Sequence, residues 1–204
     1  MPCYQIDGVT PVVDAKSFVH PMATLIGDVI IAAGCYIGPG AVLRGDFGRL
    51  ILHEGVNVQD TCVLHSFPDS ETVIEKNGHI GHGAVLHGCR IGENALIGIN
   101  AVIMDGVEVG ESAIVAAMSF VKANMKVAPR SLVAGTPARE IRLLSDQEID
   151  WKRQGTRDYQ RLSQRCFESM RAVEPLTEPE GDRPQLELAD SLPLYKIKKD
   201  GDRD

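Results

Sequence analysis

The sequence is poor in aromatic residues and in positive charge, and both shortages limit what the protein can be. Only 5% of its 204 residues are aromatic, which favours a core of small and branched side chains over one of large rings. The net charge of −7 argues against a nucleic-acid-binding surface, because such a surface normally has a basic face. No apolar run approaches the roughly 20 residues of a membrane helix.

The sequence also lacks the marks of a secreted protein. Its first residues contain no basic region followed by an apolar stretch, so no signal peptide is indicated. Five cysteines make an odd number, and no CxxC pair occurs, which is typical of reduced thiols rather than a disulfide framework. We therefore expect a cytoplasmic protein that contacts neither membrane nor nucleic acid.

What the sequence does contain is a six-residue repeat. Between positions 91 and 133 every sixth residue is a β-branched aliphatic: Ile91, Ile97, Ile103, Val109, Val115, Val121, Val127 and Val133. A small residue, such as Ala95 or Ala101, usually follows four places later. This period fits neither an α-helix nor an alternating strand, and is typical of a parallel β-helix. The sequence therefore predicts an all-β fold, a left-handed parallel β-helix of hexapeptide repeats, with three hexads in each triangular coil.

Three segments are predicted along the chain. Residues 1–140 form the β-helix domain, residues 145–174 a C-terminal helical segment, and residues 175–204 an extended or subunit-packing tail. Ser145 and Glu148 are spaced as a capping box that starts the helix. Its apolar positions at helical spacing are Tyr159, Leu162, Cys166, Met170 and Val173. This stripe predicts that one face of the helix lies against another surface.

Two interruptions of the repeat determine which hexads stack. The register slips by three residues around Phe47, where the chain is expected to bulge from a corner. A four-residue insertion before Ile74, at residues 67–70, contains turn-forming residues and predicts a projecting loop. Counting through both interruptions places Leu64 and Leu86 on the same face of the prism.

The stacking brings histidines together. Residues that follow an inward aliphatic point outward, so Arg44, His65 and His87 form one file with coils about 4.8 Å apart. His65 and His87 can therefore share a metal ion. His82 starts on another face, above Asp60, and would have to come from a neighbouring subunit to join them. Three imidazoles and one open position are typical of a catalytic zinc site; three unrelated surface histidines are the alternative.

Several motifs resemble the γ-class carbonic anhydrase-like hexapeptide family. They are Arg44-Gly45-Asp46, Asn57-Val58-Gln59-Asp60, Val63-Leu64-His65, Gly81-His82-Gly83 and Leu86-His87-Gly88-Cys89. The resemblance implies a homotrimer with Zn2+, or another divalent metal, at each subunit interface. It also implies that His65, His82 and His87 are the metal ligands.

The same resemblance suggests catalytic roles for four further residues. Gln59 would hold a metal-bound water, and Asp60 would orient neighbouring groups. Arg44 and Asp46 would tie subunits together by charge-assisted hydrogen bonds, although a local corner salt bridge is an equal alternative.

Further segments, 77–83, 117–123 and 135–139, resemble the phenylacetic acid degradation (PaaY-type) branch of this family and its carnitine-operon relative. That resemblance implies a zinc-dependent thioesterase acting on ring-hydroxylated phenylacetyl-CoA-type thioesters, with metal-bound hydroxide as the nucleophile. The cations that could hold CoA phosphates are Lys122, Lys126, Arg130, Arg139 and Arg142, unless they are simply solvated.

Three other functions stay open. The first is γ-class carbonic anhydrase activity, which is disfavoured because Phe47 stands where some members of that class have a glutamate. The second is acyl transfer from CoA, which in hexapeptide enzymes uses a lone histidine as general base. The third is a trimeric scaffold that keeps zinc only as a staple.

Overall fold

The computed structural model describes residues 2–186 and 192–197, and within them the chain is a β-helix with helices at its C-terminal end. The strands are, in chain order, β1 (Cys3–Tyr4), β2 (Val12–Val13), β3 (Phe18–Val19), β4 (Thr24–Ile31), β5 (Tyr36–Ile37), β6 (Val42–Leu52), β7 (Asn57–Val58), β8 (Val63–His65), β9 (Glu71–Ile74), β10 (His79–Ile80), β11 (Val85–His87), β12 (Arg90–Ile91), β13 (Leu96–Ile97), β14 (Val102–Ile103), β15 (Glu108–Val109), β16 (Ile114–Val115), β17 (Phe120–Val121), β18 (Lys126–Val127), β19 (Ser131–Gly135) and β20 (Ala138–Leu143). The helices are α1 (Asp146–Ser169) and α2 (Leu194–Ile197).

The strands stack in parallel into about seven turns with three faces, which confirms the predicted left-handed β-helix. The first face carries β8, β11, β14 and β17, and the second carries β9, β12, β15 and β18. Both faces belong to one sheet, because β4 and β6 run on around the corner between them. The third face is a separate sheet that contains β7, β10, β13, β16 and β19. It ends where β20 pairs antiparallel with β19.

The core is a column of the repeat's aliphatic residues. The largest fully buried side chains are Leu25, Ile31, Ile37, Leu43, Leu50, Leu52, Leu64, Ile74, Ile80, Leu86, Ile91 and Ile97. Corner positions such as Ala41, Cys62 and Ala84 are also fully buried, because only a small side chain fits beside the axis. Each buried aliphatic contributes roughly 1.5–3 kcal/mol, so the six-residue period itself provides the stability of the fold.

The register slip is a bulge, as the sequence predicts, but it lies within one strand. Strand β6 pairs with β4 up to Gly45 and again from Leu50, so residues 46–49 stand opposite Asp28 alone, and β6 continues to pair with β8 before the bulge and β9 after it. The close approach to β4 depends on Gly45, where a Cβ would collide with the carbonyl of Asp28. Phe47 is left 60% exposed on the strand's outer side. The second interruption, residues 67–70, is the projecting loop that the sequence predicts.

Helix α1 begins at the predicted capping box, with Ser145 and Glu148 bonding reciprocally. Its buried face differs from the predicted apolar stripe, since Lys152, Thr156 and Ser163 are buried whereas Met170 is exposed. The helix lies across β3, β5 and β7 of the third face. None of the helices in the described part of the chain is long and apolar enough to cross a membrane.

Part of the C-terminal segment returns to α1. The indole Nε1 of Trp151 donates to the carbonyl of Leu192 at 2.9 Å, and the Gln147 amide donates to the carbonyl of Ile197 at 3.3 Å. Leu186 is exposed. The rest of the predicted tail, at 187–191 and 198–204, lies outside the described residues, so subunit packing there stays a prediction.

Candidate active site and histidine pair

His65 and His87 lie directly above one another on the first face, which confirms the predicted stack. Strands β8 and β11 pair in register, with His65 opposite His87. The Nδ1 of His65 and the Nε2 of His87 are 3.1 Å apart. The rings meet edge to face, and the exposed Phe67 of the projecting loop packs against His87 with centroids 4.8 Å apart.

A carboxylate holds the outer nitrogen of each ring. Oδ1 of Asp46 lies 2.9 Å from Nε2 of His65, and Oδ1 of Asp105 lies 2.6 Å from Nδ1 of His87. Arg44 donates to the other oxygen of Asp46 within the same chain. This is the local salt bridge that the sequence left open as an alternative to a contact between subunits. Partial burial alone would raise the pKa of Asp46, but the hydrogen bonds from Arg44 and His65 bring it below its usual value.

Asp105 was missed by the sequence reasoning. It follows the inward Ile103, which stacks on Leu86, and so lies one coil beyond His87. The stacking count that paired the histidines places Met104, not Asp105, above His87, so it leads only to the neighbourhood of this carboxylate. A motif search would not find it either, because Asp105 stands outside the segments that carry the family resemblance.

The inner nitrogens of the pair are suited to sharing a cation. If the outer nitrogens of His65 and His87 donate to their carboxylates, two lone pairs face each other at 3.1 Å. Only a proton or a metal ion can make that contact favourable. Histidines whose second nitrogen is fixed by a carboxylate are the usual zinc ligands. The two residues therefore fit a divalent metal, although no group of three His, Cys, Asp or Glu within the described residues is arranged to hold one.

His82 lies apart from this pair and has its own carboxylate partner. Its Nδ1 is 2.9 Å from Oδ2 of Asp60, which lies on the coil below as predicted. The ring is 44% exposed, and its Nε2 makes no hydrogen bond to any residue that the structure describes. An imidazole oriented through one nitrogen and free at the other is the arrangement of a general base. The structure thus separates His82 from the other two predicted ligands of the same chain.

Gln59 lies beneath His82 rather than beside the histidine pair. Its side-chain oxygen, Oε1, accepts a hydrogen bond from the backbone N–H of His82 at 3.2 Å. Its side-chain nitrogen therefore faces Oδ1 of Asn57 and Nε2 of His79. That contact, at 2.6 Å, makes His79 Nε2 an acceptor and leaves the ring proton on Nδ1. Burial, with a smaller contribution from the charge of Lys152, lowers the pKa of His79 to about 3. His79 is therefore neutral at pH 7.

A cavity of about 480 Å3 opens beside His82, between the third face and α1. Its apolar wall consists of Leu96, Ile97, Ile99, Ile114, Val115, Ala116, Ala117, Leu132, Leu144, Trp151, Tyr159 and Leu194. Gln59, His79 and His82 supply polar groups. The cavity lining also includes the ion pair of Arg142 and Glu148, in which Nη2 of Arg142 donates to Oε1 of Glu148 at 2.7 Å.

Lys152 is a second group that sequence reasoning missed. Its Nζ is buried beneath α1 and donates to the carbonyl of Asn77 at 2.6 Å and to Oδ1 of Asn94 at 2.9 Å. Burial lowers its pKa to about 7. A neutral amine still has two hydrogens for these two acceptors, so the site holds Lys152 without requiring its charge.

Lys152 should make stability depend on pH. Its unfolded-state pKa is near 10.5, so between pH 7 and 10 the unfolded chain binds more protons, and stability rises with pH. We expect the free energy of unfolding to increase by roughly 1–2 kcal/mol from pH 7 to 8.5. Denaturant titrations at fixed protein concentration would show this slope, and it should disappear in Lys152→Met. The exposed Lys122→Met is the matched control; an unchanged slope in Lys152→Met would show that another group causes it.

Three of the five predicted CoA-binding cations pair with acids of the same chain. Lys126 pairs with Glu108, Arg130 with Asp146, and Arg142 with Glu148. A role in holding phosphates stays a prediction for all five.

Comparison with known proteins places this architecture in a family. The bacterial transferase hexapeptide model, which describes six repeats, matches residues 88–123. The carnitine operon protein CaiE of Escherichia coli is 54% identical over 187 residues, which cover 92% of this chain and 95% of CaiE.

Two solved structures are also similar. A hexapeptide transferase family protein from Anaplasma phagocytophilum is 36% identical with a TM-score of 0.77, over 80% of this chain and 96% of that one. A Bacillus cereus protein provisionally described as an acetyltransferase is 33% identical with a TM-score of 0.79, over 80% and 95%.

The fold and these relatives define a class, the hexapeptide-repeat transferases with a β-helix. Within it, the chain belongs to the family of CaiE, which is one of the carbonic anhydrase-like β-helix families.

The predicted zinc-dependent thioesterase function is wrong by this comparison. The relatives carry the CaiE name, and the similar structures are described as a provisional acetyltransferase and a member of the hexapeptide transferase family, which favours the acyltransferase alternative. The error has a physical reason. The motifs that suggested hydrolysis fix the positions of histidines and carboxylates, and such groups can activate an acceptor molecule as well as water.

Proposed function

We propose that the protein transfers an acyl group from a CoA thioester to a small alcohol or amine, with His82 as general base. The observation that carries the proposal is the pairing of His82 with Asp60 at the edge of an apolar cavity. Asp60 orients the base, its second nitrogen has no hydrogen-bond partner in the described part of the chain, and an apolar space for a substrate adjoins it.

The chain's own residues supply each proton movement. Nε2 of His82 takes the proton from the acceptor's O–H or N–H, while Asp60 stabilises the imidazolium that forms. The acceptor's oxygen or nitrogen attacks the thioester carbonyl, the C–S bond breaks, and His82 returns the proton to the CoA thiolate. The products are the acylated acceptor and free CoA. Gln59 positions the base, because its carbonyl holds the backbone of His82.

The relatives' name suggests the metabolic setting. Because they are called carnitine operon proteins, we infer that the substrates belong to carnitine-linked acyl-CoA chemistry rather than to the phenylacetate chemistry of PaaY. Carnitine itself offers a hydroxyl group that could accept an acyl group. Carbon dioxide hydration stays a separate prediction for the same histidines.

We also infer a homotrimer from a partly exposed apolar ladder on the first face. Its members, which pair strand to strand, are Val42, Val63, Val85, Val102 and Phe120. Val63 and Val85 are each 36% exposed and immediately precede the strands' inward residues, beside the histidine pair. An apolar stripe of this length on one face is typical of a subunit interface.

We propose a metal site at the histidine pair, separate from the general base His82. His65 and His87 would hold Zn2+ or another divalent ion, with further ligands from outside the chain. When bound, such an ion would polarise a carbonyl oxygen nearby.

Calorimetric titration with Zn2+ tests the metal site. We expect one ion per chain in the wild type and a loss of binding of at least tenfold in His65→Ala and in His87→Ala. His53→Ala is the matched control, since His53 lies elsewhere and contacts Glu75. His82→Ala should keep the ion; its loss would make His82 a ligand and overturn its role as base.

The activity test follows the fate of the acyl group. Purified protein is incubated with acetyl- or octanoyl-CoA and with carnitine, other alcohols or amines, and mass spectrometry detects the products. Transfer predicts that an acylated acceptor forms in equal amount to free CoA. CoA release that is unaffected by any acceptor would reject transfer.

A further inference from the structure

The cavity beside His82 is elongated along the β-helix axis. Its wall includes residues of four successive strands of the third face, β10, β13, β16 and β19. Strands in a sheet are about 4.8 Å apart, so three intervals extend for roughly 14 Å. Helix α1 closes the opposite side with Trp151 and Tyr159, and Leu194 of α2 adds to the wall. Its volume of about 480 Å3 far exceeds what an acetyl group requires.

The chemistry of the wall suits an uncharged occupant. Arg142 and Glu148 neutralise each other through two hydrogen bonds. His79 is neutral and its Nε2 is occupied by Gln59. The buried Nδ1 of His79 has no hydrogen-bond partner among the described residues. His82 lies where the wall meets the exposed coil corner. The cavity therefore offers apolar surface along its length and a proton acceptor beside one corner.

We infer that this cavity binds the acyl chain of the donor thioester and selects chains longer than acetyl. The inference rests on the proposed function, because it places the thioester carbon near His82 and the alkyl chain along β13 and β16. Each methylene that the wall buries tightens binding about fourfold, the equivalent of ~0.8 kcal/mol.

Binding is measured first, without turnover. Calorimetry compares free CoA, acetyl-CoA, butyryl-CoA and octanoyl-CoA with the full-length protein. We expect the affinity for octanoyl-CoA to exceed that for acetyl-CoA by at least tenfold. Equal affinities along the series would overturn the inference.

A matched pair of variants locates the effect. Ala116 directly follows the inward Val115 and lines the cavity, whereas Ala128 directly follows the inward Val127 on the second face and is exposed. Ala116→Leu should remove the advantage of octanoyl-CoA and leave acetyl-CoA binding within twofold. Ala128→Leu should change neither. If Ala116→Leu keeps the full chain-length dependence, the acyl chain does not lie in this cavity.

A third comparison keeps the inference apart from the proposed reaction. Chain-length-dependent binding that Ala116→Leu abolishes would support the cavity even if no acceptor is ever acylated. Transfer that proceeds equally with every chain length in the wild type would support the reaction and reject the cavity. Leu194→Ala enlarges the cavity without changing a polar group, and it should shift the binding preference towards acyl-CoA with longer chains.

Discussion

His82→Ala should lower kcat for acyl transfer about 10³-fold, because general bases typically contribute 10²- to 10⁴-fold. KM for the acyl-CoA should change little, since the base acts on the acceptor and does not hold the donor. The measurement is the initial rate of free CoA formation at saturating acceptor. His53→Ala, the control on the second face, should retain wild-type activity.

Asp60→Asn gives an independent check of the same dyad. An amide keeps the shape of the carboxylate but cannot stabilise an imidazolium, so kcat should again fall, by about 10²-fold or more. Full activity of either variant would contradict the assignment of His82 as base and would direct attention to His65 and His87.

Val85→Asp should convert the assembly to monomers. A buried carboxylate without a partner costs several kcal/mol, and a three-fold interface would contain three of them. Light scattering combined with size-exclusion chromatography measures the mass directly. We expect one chain per particle at concentrations where the wild type contains three.

The control for Val85→Asp is Val173→Asp, which introduces the same charge at an exposed position beyond α1. It should leave the assembly unchanged. A Val85→Asp protein of trimeric mass would show that the apolar ladder on the first face is not the interface. Circular dichroism of both variants verifies that the β-helix remains folded.

The fold could be predicted because the repeat and the structure have the same period. Each inward position of a coil must be aliphatic and each corner must be small. The positions of residues such as Ile97 and Ala101 in the coil can therefore be predicted from the sequence, and both are fully buried. The pairing of His65 with His87 followed from that count alone. The bulge at Phe47 followed from the same count. The need for glycine at position 45 did not, because the collision that requires it involves Asp28, a residue on another coil.

The face beneath α1 could not be read from the sequence. Hydrophobic periodicity identifies helix faces that bury apolar residues, but Lys152, Thr156 and Ser163 bury polar ones. Ser163 donates to the carbonyl of Cys35, and Lys152 satisfies a backbone and an amide oxygen. Such partners are separated by up to 128 positions in the chain. Only the folded structure shows which of them meet.

The regular spacing of the strands on the third face allows the length of the cavity to change independently of the residues at its polar end. Leu96, Ile114 and Leu132 pair in succession and stand eighteen residues apart, one full turn each. Gaining or losing eighteen residues by duplication or deletion would lengthen or shorten the cavity by one strand. His82 and its partner Asp60 both precede this stretch and would keep each other, whereas His87 depends on Asp105, which lies within it. A lineage of such proteins can therefore change the length of this cavity in single genetic events that leave the His82–Asp60 pair in place.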